Sequence, residues 1–429
     1  MIIPSIDLAS GQAVQLVGGE RLAVEAGDPR PILERFALAG EVAVVDLDAA
    51  RGEGSNADLM RALCAQAPVR IGGGVRDADA ALDWLDAGAA KVVIGTAAQP
   101  ELLRKLPRDR VIVALDSRDG DVVTHGWRHG TGRGVLDRMA ELRDFCCGFL
   151  VTFVELEGRL EGTDLERAQR IVEAAGPARV TIAGGITTPE EIAQLDRLGA
   201  DAQVGMALYT NQLGLAEALA APLTSDRADG LWPTVVTDER GIALGLAYSS
   251  QESLALAMAE GRGVYQSRRR GIWRKGESSG AVQELLSVDL DCDRDTLRFK
   301  VRQRGTGFCH LETETCWGPA SGLTQLERTL AARKRTAPAG SNTARLLKDP
   351  ELLAAKLVEE SAELAEATSP AQVRHEAADL LFFALARITA AGLSLADIEA
   401  ELDGRALRVS RRPMEIKEVK EAKQAEGAR

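Results

Sequence analysis

The chain changes its hydrophobic rhythm twice. Up to about residue 222, short apolar or β-branched runs such as IIPSIDL, VVDLDAA, VRIGGGVR and VIVALDS alternate with stretches whose apolar positions recur at helical spacing. Strand followed by helix, over and over, predicts a parallel sheet with helical crossovers. The segment also repeats itself. IIPSIDLASG at 2–11 returns as VIVALDSRDG at 111–120, and VRIGGGVRDADAALDWLDAGAAKVVIGTA at 69–97 returns as VTIAGGITTPEEIAQLDRLGADAQVGMA at 180–207. Two matching halves, each alternating strand and helix, predict a (β/α)8 barrel over residues 1–222.

The stretch 221–230, APLTSDRADG, is polar and punctuated by Pro and Gly, which marks a boundary. LWPTVVTDERGIALGLAYSS then reads as two alternating strands around a turn at Asp238 to Gly241, followed by a helix in SLALAMAEGRG. A small β-rich unit is expected over 229–320. From Leu323 onward the strand signals stop. LLAAKLVEESAELAEA at 352–367 and VRHEAADLLFFALARITAAG at 373–392 are helical by period, so 321–412 should be all-helical. The last stretch, 413–429, is charged and without apolar partners, and reads as a frayed tail. The expected architecture is therefore multidomain: α/β, then α+β, then all-α.

Strand ends carry the first chemistry. Asp7 and Asp116 each close an apolar run in corresponding halves, which places them on the C-terminal face, across the barrel mouth from one another. Gly73, Gly74 and Arg76 in GGGVR, Gly95 in IGT, Gly184 and Gly185 in AGGIT, and Gly205 in VGM form Gly-rich turns. Such turns free backbone N–H groups for phosphate. Two phosphate cradles with two opposed carboxylates point to a ligand bearing a phosphate at each end, with acid/base chemistry between. Buried salt bridges and tight turns are the competing explanation.

Composition narrows the classes. A net charge of −12 and 4% aromatic residues argue against generic nucleic-acid binding, so a phosphorylated substrate must be gripped locally. Six cysteines in 429 residues do not make a disulfide framework. Cys64, Cys146 and Cys147 read as core residues. No apolar run is long enough for a membrane span, and MIIPSIDL has no basic leader, so the cytoplasm is the expected compartment.

The richest chemistry lies in DLDCDRDTLRFKVRQRGTGFCHLETETCWG at 289–318. In an extended segment Asp291, Asp293 and Asp295 would point one way and Cys292 the other. Oxygen ligands suit magnesium and thiolates suit zinc. Cys309 and Cys316 would complete a three-thiolate set, leaving a fourth position for water, with His310 as an acid/base group beside it. A solvated strand face with small buried cysteines explains the same spacing. Ser267, Arg268 and Lys275, with the Gly276 to Gly280 loop, look like a ribose-phosphate grip. Among the helices, Glu360 and Glu363 share a face, as do Glu376 and Asp379. Two such faces packed together would give an oxygen-only magnesium site, with Glu359 available to it.

Three resemblances organise these signals. IPSIDL, VVDLDAA, IGGGVR, ALDSRDGDVVTHGW, AGGI and VGMALY resemble the barrel isomerase that converts ProFAR, an aminoaldose ribotide, to its aminoketose. That likeness implies Asp7 as general base and Asp116 as general acid, with Thr152 nearby. Four places depart from the family pattern: Gln15 and Met206 where Arg is usual, Phe153 where an acid is usual, and Glu157-Gly158-Arg159 in place of Asp-Gly-Thr. DCDRD and GFCHLETETCWG, preceded by GVYQSRRRGIWRKGESSG, resemble phosphoribosyl-AMP cyclohydrolase. The resemblance implies zinc-dependent ring opening, magnesium on the three aspartates and a site assembled across a homodimer. TARLLKD, KLVEESAELAEA and HEAADLLFFAL resemble phosphoribosyl-ATP pyrophosphohydrolase, which implies magnesium and phosphate contacts from Arg345 and Lys356. Together they imply a multifunctional enzyme of histidine biosynthesis. It would act on small phosphoribosyl nucleotides with Zn2+ and Mg2+, as a homodimer or higher homo-oligomer through its last two regions. A bifunctional enzyme with an inactive barrel scaffold is the alternative.

Overall fold

The structure is a computed structural model that describes residues 1–124 and 126–410; the tail expected at 413–429 lies outside the described residues. Eight parallel strands close on themselves: β1 (Ile2–Ala9), β2 (Val42–Asp46), β3 (Val69–Gly72), β4 (Lys91–Ile94), β5 (Val111–Arg118), β6 (Gly148–Phe153), β7 (Arg179–Ala183) and β8 (Ala200–Val204). Their order round the ring is the order in the chain, with β8 returning to β1. This is the barrel that the two-fold repeat predicts, and the repeat extends to detail. The first strand of each half runs on into an antiparallel hairpin, 12–27 after β1 and 121–134 after β5.

Why these segments form strands is visible in their burial. β6, GFLVTF, is buried at every position, because one face meets the barrel interior and the other the helical layer. Ile112, Leu150 and Ala183, with Val93 and Ala114, fill the interior. Five of the barrel helices are capped at their starts by an Asp or Thr side chain, from Asp28, Asp46, Asp77, Asp164 and Thr188; Thr188 and Glu191 form a reciprocal capping box ahead of Pro189–Leu198.

Beyond the barrel a four-stranded sheet is built from Trp232–Thr237, Ala243–Ser249, Gln283–Leu290 and Leu297–Gln303, beside a two-stranded hairpin, Val264–Ser267 with Gly271–Arg274. The turn read at Asp238 to Gly241 is present, Gly241 N–H donating to Asp238 O at 3.0 Å. One expectation fails. Asp291 to Asp295 is not a strand but the loop between Gln283–Leu290 and Leu297–Gln303. The Asp291 carboxylate accepts from the N–H groups of Asp295 and Thr296, and Arg294 takes a left-handed φ of 63°. An Asp side chain that bonds the backbone ahead of it curls the chain, and this overrides the period-2 pattern.

The final region is helical: Gly322–Arg335, Asn342–Lys348, Pro350–Glu366, Pro370–Ala390 and Leu395–Leu407. Its small core is Leu330, Leu346, Leu353, Leu385 and Ala386. Arg240 joins it to the sheet region through Glu399 at 2.7 Å and Thr324 at 2.7 Å. Among the described residues no single helix is long and apolar enough to cross a membrane.

Both later regions meet the barrel on one end. Val288 N–H donates to Leu38 O, Val409 and Ser410 N–H donate to Asp86, and Arg110 donates to Leu407 O. Leu38, Asp86 and Arg110 all precede strands, so the docking face is the N-terminal rim. The C-terminal mouth is the other end.

Candidate functional sites

The barrel mouth holds a cavity of about 270 Å³. Asp7 lies near the end of β1 and Asp116 near the end of β5, on opposite sides of the ring, and both line it. So do Thr152 and every glycine expected to cradle phosphate: Gly73, Gly74 and Gly95 after β3 and β4, and Gly184, Gly185 and Gly205 after β7 and β8. The two Gly-Gly pairs match in geometry. A Cβ on Gly73 would stand 2.2 Å from Asp46 O, and one on Gly184 2.5 Å from Phe153 O, and both carry positive φ. No other residue lets these turns pack so closely on the preceding strand.

Burial raises the Asp7 carboxyl to about 7, and Gln15 donates to it at 3.5 Å. Burial raises Asp116 as well, opposed by hydrogen bonds from Trp127 and Thr152. A third carboxylate joins them. Glu157 is pushed up to about 8, first by burial and then by the charges of Asp7 and Asp116. Its loop is pinned by Gly18 N–H donating to Glu157 O at 3.1 Å. Sequence reasoning noted Glu157 only as a departure from a pattern; an acidic residue just beyond β6, another strand end, was the signal available. The cavity's cations are unevenly placed. Arg51 and Arg76 line the β3 side, whereas Met206 stands beside Gly205. Arg51 donates to Gly19 O, and Arg76 to Ala49 O.

In the sheet region Cys309 and Cys316 come together. The turn bearing Cys316 docks on Leu244 O at 2.8 Å, and Gly245 leaves room for Phe308 and the Cys316 sulfur. The Leu311 N–H holds the Cys309 thiol below its ordinary value, with Thr313 adding to it. Burial lowers Lys275, whose ammonium also feels both thiols. Lys275 therefore sits at the thiol pair, bonded to Ala281 O at 3.3 Å. His310 lies with Nδ1 3.9 Å from Cys309 Sγ. Cys292 does not join them. It is exposed, beside Asp293, and the three sulfurs do not converge within one chain. The physical reason is that Cys292 rides on the aspartate loop, not on the strand that would have faced the pair. Asp291, Asp293 and Asp295 do converge, each offering an oxygen within 4.8 Å of the others. Ser267 Oγ accepts from the N–H groups of Arg269 and Arg270, and Arg268 stacks on Tyr248 at 4.9 Å.

In the helical region Glu360, Glu363 and Glu376 converge across two helices within 4.8 Å. Partial desolvation, then the neighbouring Glu360 and Glu376 charges, raise Glu363. Asp379 stands outside this trio, 3.6 Å from His375 Nε2. The Lys356 ammonium holds Glu359 and Glu360 at 2.9 Å each. Helical neighbours at i+3 and i+4 capture it. Arg345 is exposed near the end of its helix. Both carboxylate trios are oxygen-only donor sets that fit magnesium, and the thiol pair fits zinc.

Comparison with known proteins follows the same order along the chain. Residues 1–214 match the family model described as histidine biosynthesis protein, 245–318 that of phosphoribosyl-AMP cyclohydrolase, and 323–406 that of phosphoribosyl-ATP pyrophosphohydrolase. A histidine biosynthesis bifunctional protein of Schizosaccharomyces pombe is 54% identical over 206 residues, 48% of this chain and 49% of that protein. A histidine biosynthesis trifunctional protein of Neurospora crassa is 39% identical over 355 residues, 79% of this chain and 37% of that protein. The chain thus spans half or less of these fungal relatives. A phosphoribosyl imidazole-4-carboxamide isomerase of Gemmatimonas aurantiaca is 41% identical over 225 residues, 49% of this chain but 94% of that protein. With so nearly complete a relative matched, the chain belongs to the histidine biosynthesis protein family.

Proposed function

We propose that this chain performs three successive reactions of histidine biosynthesis: pyrophosphate release from phosphoribosyl-ATP, ring opening of phosphoribosyl-AMP, and isomerisation of ProFAR. What carries the reading is that each family-matched segment holds its own converged donor set: acids with glycine cradles, a thiol pair with an aspartate trio, and a helical glutamate trio. Asp7, whose carboxyl burial raises to about 7, takes the sugar proton as base. Asp116, whose carboxyl burial raises and to which Thr152 hydrogen-bonds, gives its proton to the ring oxygen. Bound zinc supplies Lewis acidity toward water, and bound magnesium does so toward phosphate oxygens. Cys309 and Cys316 hold the first ion, His310 moves a proton beside it, and the two carboxylate trios hold the second. Because Cys292 is exposed and does not converge with the thiol pair, the third thiolate comes from a second copy of the chain. Apolar side chains left exposed, among them Leu246, Trp317 and Val358, support such self-association. Product analysis by chromatography after feeding phosphoribosyl-ATP to the purified chain tests the sequence of reactions.

The uneven mouth favours a second reading for the barrel alone. Among the described residues that line the mouth, no cationic side chain stands at the Gly184 and Gly205 side, where the polar side chains beside Gly205 are those of Ser5 and Gln15, so one substrate phosphate has only uncharged donors there. A barrel that no longer turns over would then serve as scaffold for two hydrolases.

A further inference from the structure

The aspartate loop contains one cation of its own, and that cation faces away. Arg294 turns its Nε and Nη2 onto both oxygens of Asp196, at 3.0 Å each, across the boundary between barrel and sheet region. Asp196 lies in the last turn of the barrel helix Pro189–Leu198, on the docking rim. Arg294 Nη1 donates to Asp291 O at 2.5 Å, and the Arg294 carbonyl accepts from Thr224 N–H at 2.7 Å. Its φ of 63° is one that an arginine keeps only when neighbours hold it there. Asp291, Asp293 and Asp295 are left with their oxygens converged and, among the described residues, no lysine or arginine paired to their carboxylates. A two-pronged Arg–carboxylate pair is a strong, directional hold. Released from it, the guanidinium is tethered within the loop and becomes its nearest competitor for a cation.

We propose that Asp196 of the barrel is a positioning residue for the divalent cation of the sheet region, acting by drawing the Arg294 guanidinium out of the aspartate loop. The proposal rests on the reading of that loop as a cation site. It also gives the barrel a task in the second reaction that is independent of its own turnover, and joins the first and second regions through a single ion pair.

The test is a manganese(II) titration of the full chain followed by electron paramagnetic resonance, in a Glu360→Gln, Glu376→Gln background that silences the helical trio. Asp196→Asn should weaken binding at the loop by about tenfold, as loss of an outer-shell partner does. Asp196→Glu should retain tight binding. Adding Arg294→Gln to Asp196→Asn should restore it, which a merely misfolded variant could not show. Unchanged affinity in Asp196→Asn overturns the proposal, and so does a loss that Arg294→Gln fails to restore. Asp293→Asn separates the two layers: if it leaves binding intact, the loop is not the cation site and the proposal falls with that reading.

Discussion

Glu157 stands close enough to Asp7 at the barrel mouth that, after burial, the Asp7 charge is the next cause holding its carboxyl up at about 8. Asp7 itself titrates at about 7. In a buried cluster that shares negative charge, one member ionises and the next resists. For isomerisation this predicts kcat/KM that rises through about pH 7 as Asp7 ionises and falls through about pH 8 as Glu157 follows. Glu157→Gln should keep the rising limb and lose the fall. A rising limb near the ordinary carboxylate value would remove Asp7 from the role of base.

The same raised values have a stability consequence. A carboxyl raised in the folded state means the native chain binds more protons than the unfolded one, so stability falls as pH rises. For Asp7 the window runs from its ordinary 3.8 to about 7. Asp7→Asn should therefore melt about 5 °C above wild type at pH 8, with the gap closing toward pH 4. Thermal melts across that range check the sign; a gap that widens toward acid contradicts it.

The two hydrolytic sites should separate cleanly. Cys309→Ala should lower ring opening by more than about 100-fold while leaving pyrophosphate release intact. Glu376→Gln should do the reverse. Assays with each substrate alone distinguish them, and joint loss in either variant would tie the sites together.

A thiolate set shared between copies predicts complementation. Cys292→Ala and Cys309→Ala chains, each inactive in ring opening, should recover activity when mixed and refolded together, because one shared site then keeps all its ligands. No recovery would mean the third ligand comes from within the chain.

Much of the barrel and its mouth was legible because the repeat and the strand-end rule act locally. Asp7, Asp116 and the paired glycines were placed by chain position alone. The aspartate loop was misread because D-x-D-x-D has the period of a strand, while its own Asp turn and the left-handed Arg294 decide the conformation. The pairing of Lys356 with Glu359 and Glu360 was legible in their helical spacing. Asp196 and Arg294, 98 residues apart, left no pattern to read. Contacts across docked regions arise from packing that no single segment encodes.

The most direct measurement is turnover of ProFAR by the purified chain, with Asp7→Asn and Asp116→Asn beside it. The account predicts isomerisation by wild type and its loss in both variants. A wild-type chain that hydrolyses phosphoribosyl-ATP and phosphoribosyl-AMP yet leaves ProFAR unchanged would contradict it, and would make the barrel a scaffold for the hydrolases.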